Sequence, residues 1–157
     1  METTKFILIG GGGHARVIMS LVEAQKETQL EGLFDSNPEL KTLDGVQNSG
    51  AYAADLFPDS LAIIAVGDNQ IREQLSKTIE HSFGTLVHPS ACVDRLSSLG
   101  EGSVVMHQAV IQRGVQIGKH GIFNTATSVD HDCILGDFVH IAPKATLCGG
   151  VQIGEGT

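Results

Sequence analysis

The sequence predicts two folded parts in tandem, a small parallel α/β unit over residues 1–84 and a parallel β-solenoid of six-residue repeats over residues 85–157. Three observations carry this expectation. Strand-like apolar runs alternate with helical periods up to about residue 85. Beyond it, every sixth residue from Val87 is apolar for twelve consecutive steps. A glycine follows every third of those apolar residues, at Gly100, Gly118, Gly136 and Gly154, which gives a longer period of 18 residues.

In the first part, Lys5–Ile9 reads as a short buried parallel strand. Gly10–Gly13 is a glycine turn, and Val17, Ile18, Leu21 and Val22 share one face of a helix running from His14 to about Lys26. Gly32–Phe34, ending at Asp35, reads as a second strand. Residues 36–58 contain Pro38, Gly45, Gly50 and Pro58 and read as a loop with a short helical piece. Leu61–Val66 is a third buried strand, and Gly67–Asp68–Asn69 opens a helix with Ile71, Leu75 and Ile79 on one side. Strand and helix in alternation imply a parallel sheet covered by helices.

In the second part, the apolar series is Val87, Val93, Leu99, Val105, Ile111, Ile117, Phe123, Val129, Leu135, Ile141, Leu147 and Ile153. The residues two places earlier are mostly small or β-branched, among them Ala91, Ala109, Val115, Gly121, Thr127, Cys133, Val139 and Ala145. Two inward residues separated by one outward residue make a very short strand, and a turn must follow within the same six. Three such units form an 18-residue, three-sided coil, and coils stack by parallel pairing about 4.8 Å apart. The glycines are expected at turns that need positive φ. The pattern stops inside a repeat, at Gly154–Thr157, which reads as a solenoid truncated at its C-terminus, because solenoids ordinarily end in a cap.

Bulk properties exclude several classes. A net charge of −8 and few Lys/Arg disfavour nucleic acid as a partner. No apolar run reaches a membrane-spanning length. The N-terminus lacks the features of a signal peptide, so a cytoplasmic location is expected. Cys92, Cys133 and Cys148 form no paired motif, so neither disulfides nor a zinc knuckle are expected. Cys133 shares the inward parity of Leu135 and should be buried and inert.

Candidate chemistry sits at two places. Gly10, Gly12 and Ala15 satisfy G-x-G-x-x-A between a strand and a helix, and Asp35 lies 20 residues past Ala15 at a strand end. Glycines let backbone amides approach phosphate at a helix N-terminus, and the acid can hold a ribose hydroxyl. With three strands and about 80 residues, a Rossmann-like mononucleotide half-site fits better than a full dinucleotide domain. Gly67, Asp68 and Asn69 can line the same crevice, although a plain helix cap explains Asp68 or Asn69 equally well. In the solenoid, His131 follows inward Val129 by two places and should project from a corner beside Asp132. A neutral imidazole whose tautomer is fixed by a carboxylate suits a general base. The 18-residue register places Arg113, His131 and Gly149 in one column, so the bare amide of Gly149 could stabilise an oxyanion next to the base.

The Gly10–Arg16 run and the segment Asn124–Pro143, with its Ser128-Val129-Asp130-His131-Asp132-Cys133-Ile134-Leu135-Gly136 centre, carry a family resemblance. The chain resembles hexapeptide-repeat sugar acetyltransferases of the sialic-acid O-acetyltransferase (NeuD/PglD-like) type. Within them it is most like the members that N-acetylate UDP-4-amino-4,6-dideoxy sugars. The resemblance implies a left-handed β-helix, a homotrimer, acetyl-CoA as donor without a metal, and a nucleotide-sugar acceptor. It implies that His131 is the catalytic base with Asp132 paired to it, and that His140 and Gly149 lie at the acetyl-CoA thioester. It also implies that Asn124 and His14 lie near the acceptor sugar, and that the loop Gly10, Gly12, Gly13 binds its nucleotide together with Asp35 and Gly67. Family members usually continue for several more coils, and those are absent from this sequence. Three other functions compete with this one. A zinc hydratase of the hexapeptide class is disfavoured by the spacing of His107, His120, His131 and His140. The others are a non-catalytic nucleotide-binding chain and a sugar O-acetyltransferase, which would use the same histidine.

Overall fold

The computed structural model describes residues 3–157. They divide into two compact units, Met1–Gly84 and Thr85–Thr157.

The first unit is built on a three-stranded parallel sheet in which β1 (Thr4–Ile9) lies between β2 (Thr28–Phe34) and β5 (Leu61–Ile64). The centres of these strands are apolar, and Ile7, Leu8, Leu33 and Ile63 are fully buried, as expected for strands covered on both faces. Helix α1 (Gly13–Glu23) buries Ala15, Ile18, Met19, Leu21 and Val22. Helix α2 (Asn69–Ser76) is capped by Asp68, whose carboxylate accepts the Ile71 amide at 2.9 Å.

Two expectations for this unit fail. Residues 36–58 contain no helix; they contain an antiparallel hairpin of β3 (Thr42–Leu43) and β4 (Val46–Gln47). Its turn is Asp44–Gly45, with φ of 45° and 89°, and Asp-Gly is the pair favoured where both central residues are left-handed. Second, Ile71 is exposed instead of lying on the buried face of α2. The buried residue there is Arg72, whose guanidinium donates to the carbonyls of Val66 and Gly67 at 3.0 and 3.2 Å and to the Asn69 side chain at 2.8 Å. Carbonyls left open at the end of β5 draw the cation inward. Burial lowers the guanidinium pKa to about 10, so it stays charged at neutral pH.

The second unit holds twelve two-residue strands, arranged as three parallel stacks of four. Strands β6 (Leu86–Val87), β9 (Val104–Val105), β12 (Ile122–Phe123) and β15 (His140–Ile141) form one stack. The second consists of β7 (Cys92–Val93), β10 (Val110–Ile111), β13 (Ser128–Val129) and β16 (Thr146–Leu147). The third is β8 (Ser98–Leu99), β11 (Gln116–Ile117), β14 (Ile134–Leu135) and β17 (Gln152–Ile153). The second residue of each strand is the apolar residue counted in sixes. The register pairs Ile111 with Val129 and Val129 with Leu147, which is the 18-residue period. The interior is one aliphatic cluster that includes Val105, Ile111, Phe123, Val129, Cys133 and Val139.

The role expected for the periodic glycines is corrected. Gly100, Gly118, Gly136 and Gly154 do not have positive φ. At three of them the reason for glycine is proximity between coils: a Cβ on Gly100 would stand 2.3 Å from the Gly118 carbonyl oxygen, and one on Gly136 would stand 2.7 Å from the Glu155 nitrogen. A Cβ on Gly118 would likewise strike Asp137. The left-handed position falls two residues later, at Gly102, His120, Phe138 and Gly156. Among the described residues, no helix is long and apolar enough to cross a membrane.

Candidate active site

From Gly102 onward each corner turn of the second unit contains a left-handed residue, and Asp132 fills that position with φ of 59°, a conformation Asp tolerates better than most residues. The turn places Asp132 directly after His131 on an exposed corner. The Asp132 Oδ2 lies 2.9 Å from the His131 Nδ1, and the Asp130 Oδ1 accepts the His131 backbone amide at 2.8 Å. With the carboxylate on Nδ1, the neutral imidazole carries its proton there and presents the Nε2 lone pair outward. The Asp132 hydrogen bond, reinforced by the negative charge of Asp130, raises the His131 pKa above the ordinary histidine value.

Stacking brings Gly149 against this ring. The Gly150 amide donates to the His131 carbonyl at 2.9 Å, which ties the two corners together. A Cβ built on Gly149 would lie 2.6 Å from the His131 Nε2 and 2.7 Å from Cε1. Gly149 does not have positive φ, so what a side chain there would meet is the exposed imidazole, which it would displace, and not a strained turn. On another side of the coil, Asn124 and His140 are half-buried and meet through Asn124 Nδ2 and His140 Nε2 at 3.1 Å. Their strands are paired one coil apart, Phe123 against Ile141. Cys133 is buried, whereas Cys92 and Cys148 are exposed.

In the first unit, the glycine loop lies beyond the carboxyl ends of the strands. Gly10 has φ of 104°, and its added Cβ would strike Val66; a Cβ on Gly11 would strike Leu40. Gly12 and Gly13 differ: a Cβ on either would meet nothing within 4 Å. Gly12 is the N-cap of α1 and Gly13 its first residue. Asp35 grips the loop directly, its Oδ2 accepting the Gly11 amide at 2.7 Å and its Oδ1 the Asn37 amide at 2.8 Å. A crevice of about 290 Å³ opens there, bordered by Gly10, Asp35, Tyr52, Val66, Ile71 and Leu75. The sheet order puts β2 and β5 on opposite sides of β1, so the crevice lies at the strand-order switch where α/β sheets bind ligands. His14 follows at the start of α1, half-buried. Gly67 is not among the residues bordering the crevice, and its carbonyl is held by Arg72.

The sequence reading missed three contributors. Asp130 was legible as an acid beside His131. Tyr52 and Ile71 had no signal, because a loop tyrosine and a helical isoleucine acquire a place only once the crevice forms. Among the described residues there is no group of three His, Cys, Asp or Glu able to hold a metal.

Residues 5–79 match the family described as the PglD N-terminal domain. The chain is 40% identical over 109 residues to UDP-N-acetylbacillosamine N-acetyltransferase of Bacillus subtilis, a match covering 63% of this chain and 50% of that protein. The structure resembles PerB from Caulobacter crescentus, solved with CoA and GDP-perosamine, with a TM-score of 0.89 and 35% identity over 96% of this chain and 74% of that one. It also resembles the acetyltransferase domain of PglB from Neisseria gonorrhoeae, solved with acetyl coenzyme A, with a TM-score of 0.84 and 32% identity over 98% of this chain and 80% of that one. The chain spans half or less of the length of the curated relatives it matches. The structural similarity covers nearly the whole chain, and the chain belongs to the PglD-type acetyltransferase family.

Proposed function

We propose that this chain is an acetyl-CoA-dependent N-acetyltransferase that acylates the amino group of a nucleotide-linked amino-deoxy sugar, of the UDP-4-amino-4,6-dideoxy type. The observation that carries the proposal is the corner triad of His131, Asp132 and Gly149: an imidazole oriented through Nδ1, with a bare glycine against Nε2. Relatives named as N-acetyltransferases of UDP- and GDP-linked sugars support the reaction class.

In this reading, Asp132 holds the His131 tautomer, and Nε2 takes a proton from the acceptor amine as its nitrogen attacks the thioester carbonyl. The Gly149 amide donates to the oxygen that becomes negative in the tetrahedral intermediate. The proton then passes to the departing thiolate of coenzyme A, and the amide product leaves. The reaction is read as a single displacement by the amine, and buried Cys133 is not available as a nucleophile. Asn124 and His140, already hydrogen-bonded to each other, are assigned to the acceptor and to the thioester side respectively.

The first unit is assigned to nucleotide binding as a Rossmann-like half-site. Gly12 and Gly13 leave the first amides of α1 uncovered, which suits phosphate. The Asp35 carboxylate shapes the loop through Gly11 and retains acceptor capacity for a ribose hydroxyl. His14 is placed near the sugar, and Gly67 acts through the loop that Arg72 braces. By the same resemblance, the solenoid is read as left-handed and the active protein as a homotrimer.

The experiment is thiol release from acetyl-CoA, measured with UDP- and GDP-linked 4-amino sugars and with a hydroxyl acceptor of the sialic-acid type. Turnover confined to a nucleotide-linked amine supports the proposal. Turnover only with the hydroxyl acceptor replaces it with O-acetylation.

A further inference from the structure

Helix α2 presents an isoleucine to solvent. Ile71 is 48% exposed, and Leu75, one turn away on the same face, is half-buried. The core-facing position belongs to Arg72, which is held by the carbonyls of Val66 and Gly67. Successive helical residues point about 100° apart, so burying Arg72 swings Ile71 off the core. Both Ile71 and Leu75 then border the crevice of about 290 Å³ beside the glycine loop. A ligand in that crevice would restore the burial that Ile71 gives up.

A second wall of the crevice is Tyr52, from the loop before β5. Its hydroxyl accepts the Glu80 and His81 amides at 3.0 and 3.3 Å and lies 2.7 Å from the His81 Nδ1. The His81 Nε2 lies 3.1 Å from the Phe57 carbonyl oxygen, which only accepts. In the neutral ring the proton is therefore on Nε2, and Nδ1 receives the tyrosine hydroxyl. One donor and two acceptors are all the hydroxyl has, so only the Tyr52 ring is left for a ligand. The ring is also braced edge-on against Phe34, at 5.5 Å between centroids. His81 is buried and does not border the crevice, so it reaches a ligand there only through Tyr52.

Gly10 and Asp35 border the same crevice. With phosphate assigned to the first amides of α1 and the ribose to Asp35, the part of a nucleotide still to be placed is its base. A flat heterocycle is what aromatic and aliphatic walls hold best.

We propose that Tyr52 and Ile71 form the slot that grips the nucleobase of the acceptor, and that His81 is a positioning residue that fixes the Tyr52 ring in it. The inference rests on the nucleotide-sugar reading and names the residues that hold the base. The adenine of coenzyme A is the other base available to the reaction. The acceptor is favoured because Gly10 joins the crevice to the loop assigned to the acceptor's phosphates.

The test compares the wild-type chain with Ile71→Ala and Ile71→Leu, on the helix surface, and with Tyr52→Phe, His81→Leu and their double variant. Ile71→Ala should raise the KM for the nucleotide-linked acceptor about 5- to 20-fold, and Ile71→Leu should restore it. The KM for acetyl-CoA should not move. Tyr52→Phe keeps the ring and cuts its tether; it and His81→Leu should each raise the acceptor KM about 3- to 10-fold, with the loss on KM and not on kcat. The double variant should be no worse than the larger single effect, because both changes remove one contact. An acceptor KM unmoved in Ile71→Ala, or a rise in the acetyl-CoA KM instead, overturns the slot. Additive losses at Tyr52 and His81 overturn the positioning role. If the wild-type chain acetylates no nucleotide-linked amine, the functional reading fails by itself, and the slot is judged by titrating UDP and GDP into wild type and Ile71→Ala. Weaker binding of either nucleotide by the variant upholds it, and equal binding or none rejects it.

Discussion

At Gly149 a side chain would meet a neighbouring imidazole and not a backbone constraint. Its φ is ordinary, so Gly149→Ala costs nothing in the turn, but the new methyl would stand 2.6 Å from the His131 Nε2. We expect kcat to fall about 100-fold with circular dichroism unchanged; an unaltered kcat would remove this pair from the mechanism. His131→Ala should lower kcat by about two to four orders of magnitude, again with the fold intact. The protonation of His131 gives a separate handle. Because Asp132 and Asp130 raise its pKa, the base form is scarce at low pH, and kcat should rise with pH through an inflection above the ordinary histidine value. Asp132→Asn removes the stronger of the two causes, so the inflection should move down while kcat falls. An inflection that stays in place in Asp132→Asn would assign the titration to another group. The positions of His131 and Gly149 could be read from the sequence, since an 18-residue register places both on one corner. The Asp35 contact to Gly11 could not, because it depends on how two loops close on each other.

At the scale of elements, legibility follows the strength of the period. The solenoid strands are two residues long, yet all twelve could be located, because the apolar count in sixes runs without a break. The glycine register was visible but its cause was not: sequence shows that a side chain is missing, not whether φ or a neighbouring coil excludes it. Gly118→Ala tests the difference, since an added methyl there collides with Asp137, including its backbone nitrogen at 2.7 Å. It should cost more stability than Gly150→Ala, where φ is 71° but no atom lies within 4 Å and only the backbone penalty of about 1–2 kcal/mol applies. Urea midpoints of the two variants decide the order. The β3–β4 hairpin was missed although Asp44–Gly45 signals it, because its strands are too short to show alternation. The inward turn of Arg72 was illegible, since helical periodicity assigns charged residues to the solvent face.

At the scale of the molecule, each of the two units has its own hydrophobic cluster. The solenoid core is thin, one large aliphatic or aromatic residue per side per coil, so each is expensive to lose. Phe123→Ala should destabilise the protein by about 3–5 kcal/mol, read from denaturant unfolding followed in the β-rich unit. A value below about 1 kcal/mol would mean that the interior is not packed as described. The proposed homotrimer predicts a mass of three chains in light scattering, and a mass of one chain would contradict it. The proposed reaction stands on His131 deprotonating an amine that attacks acetyl-CoA. The most direct test is single-turnover acetyl transfer to a UDP-4-amino sugar by wild type and His131→Ala, both verified as folded. We expect rapid transfer by the wild type and a rate lower by at least about 100-fold in the variant; equal rates in the two proteins would contradict the account.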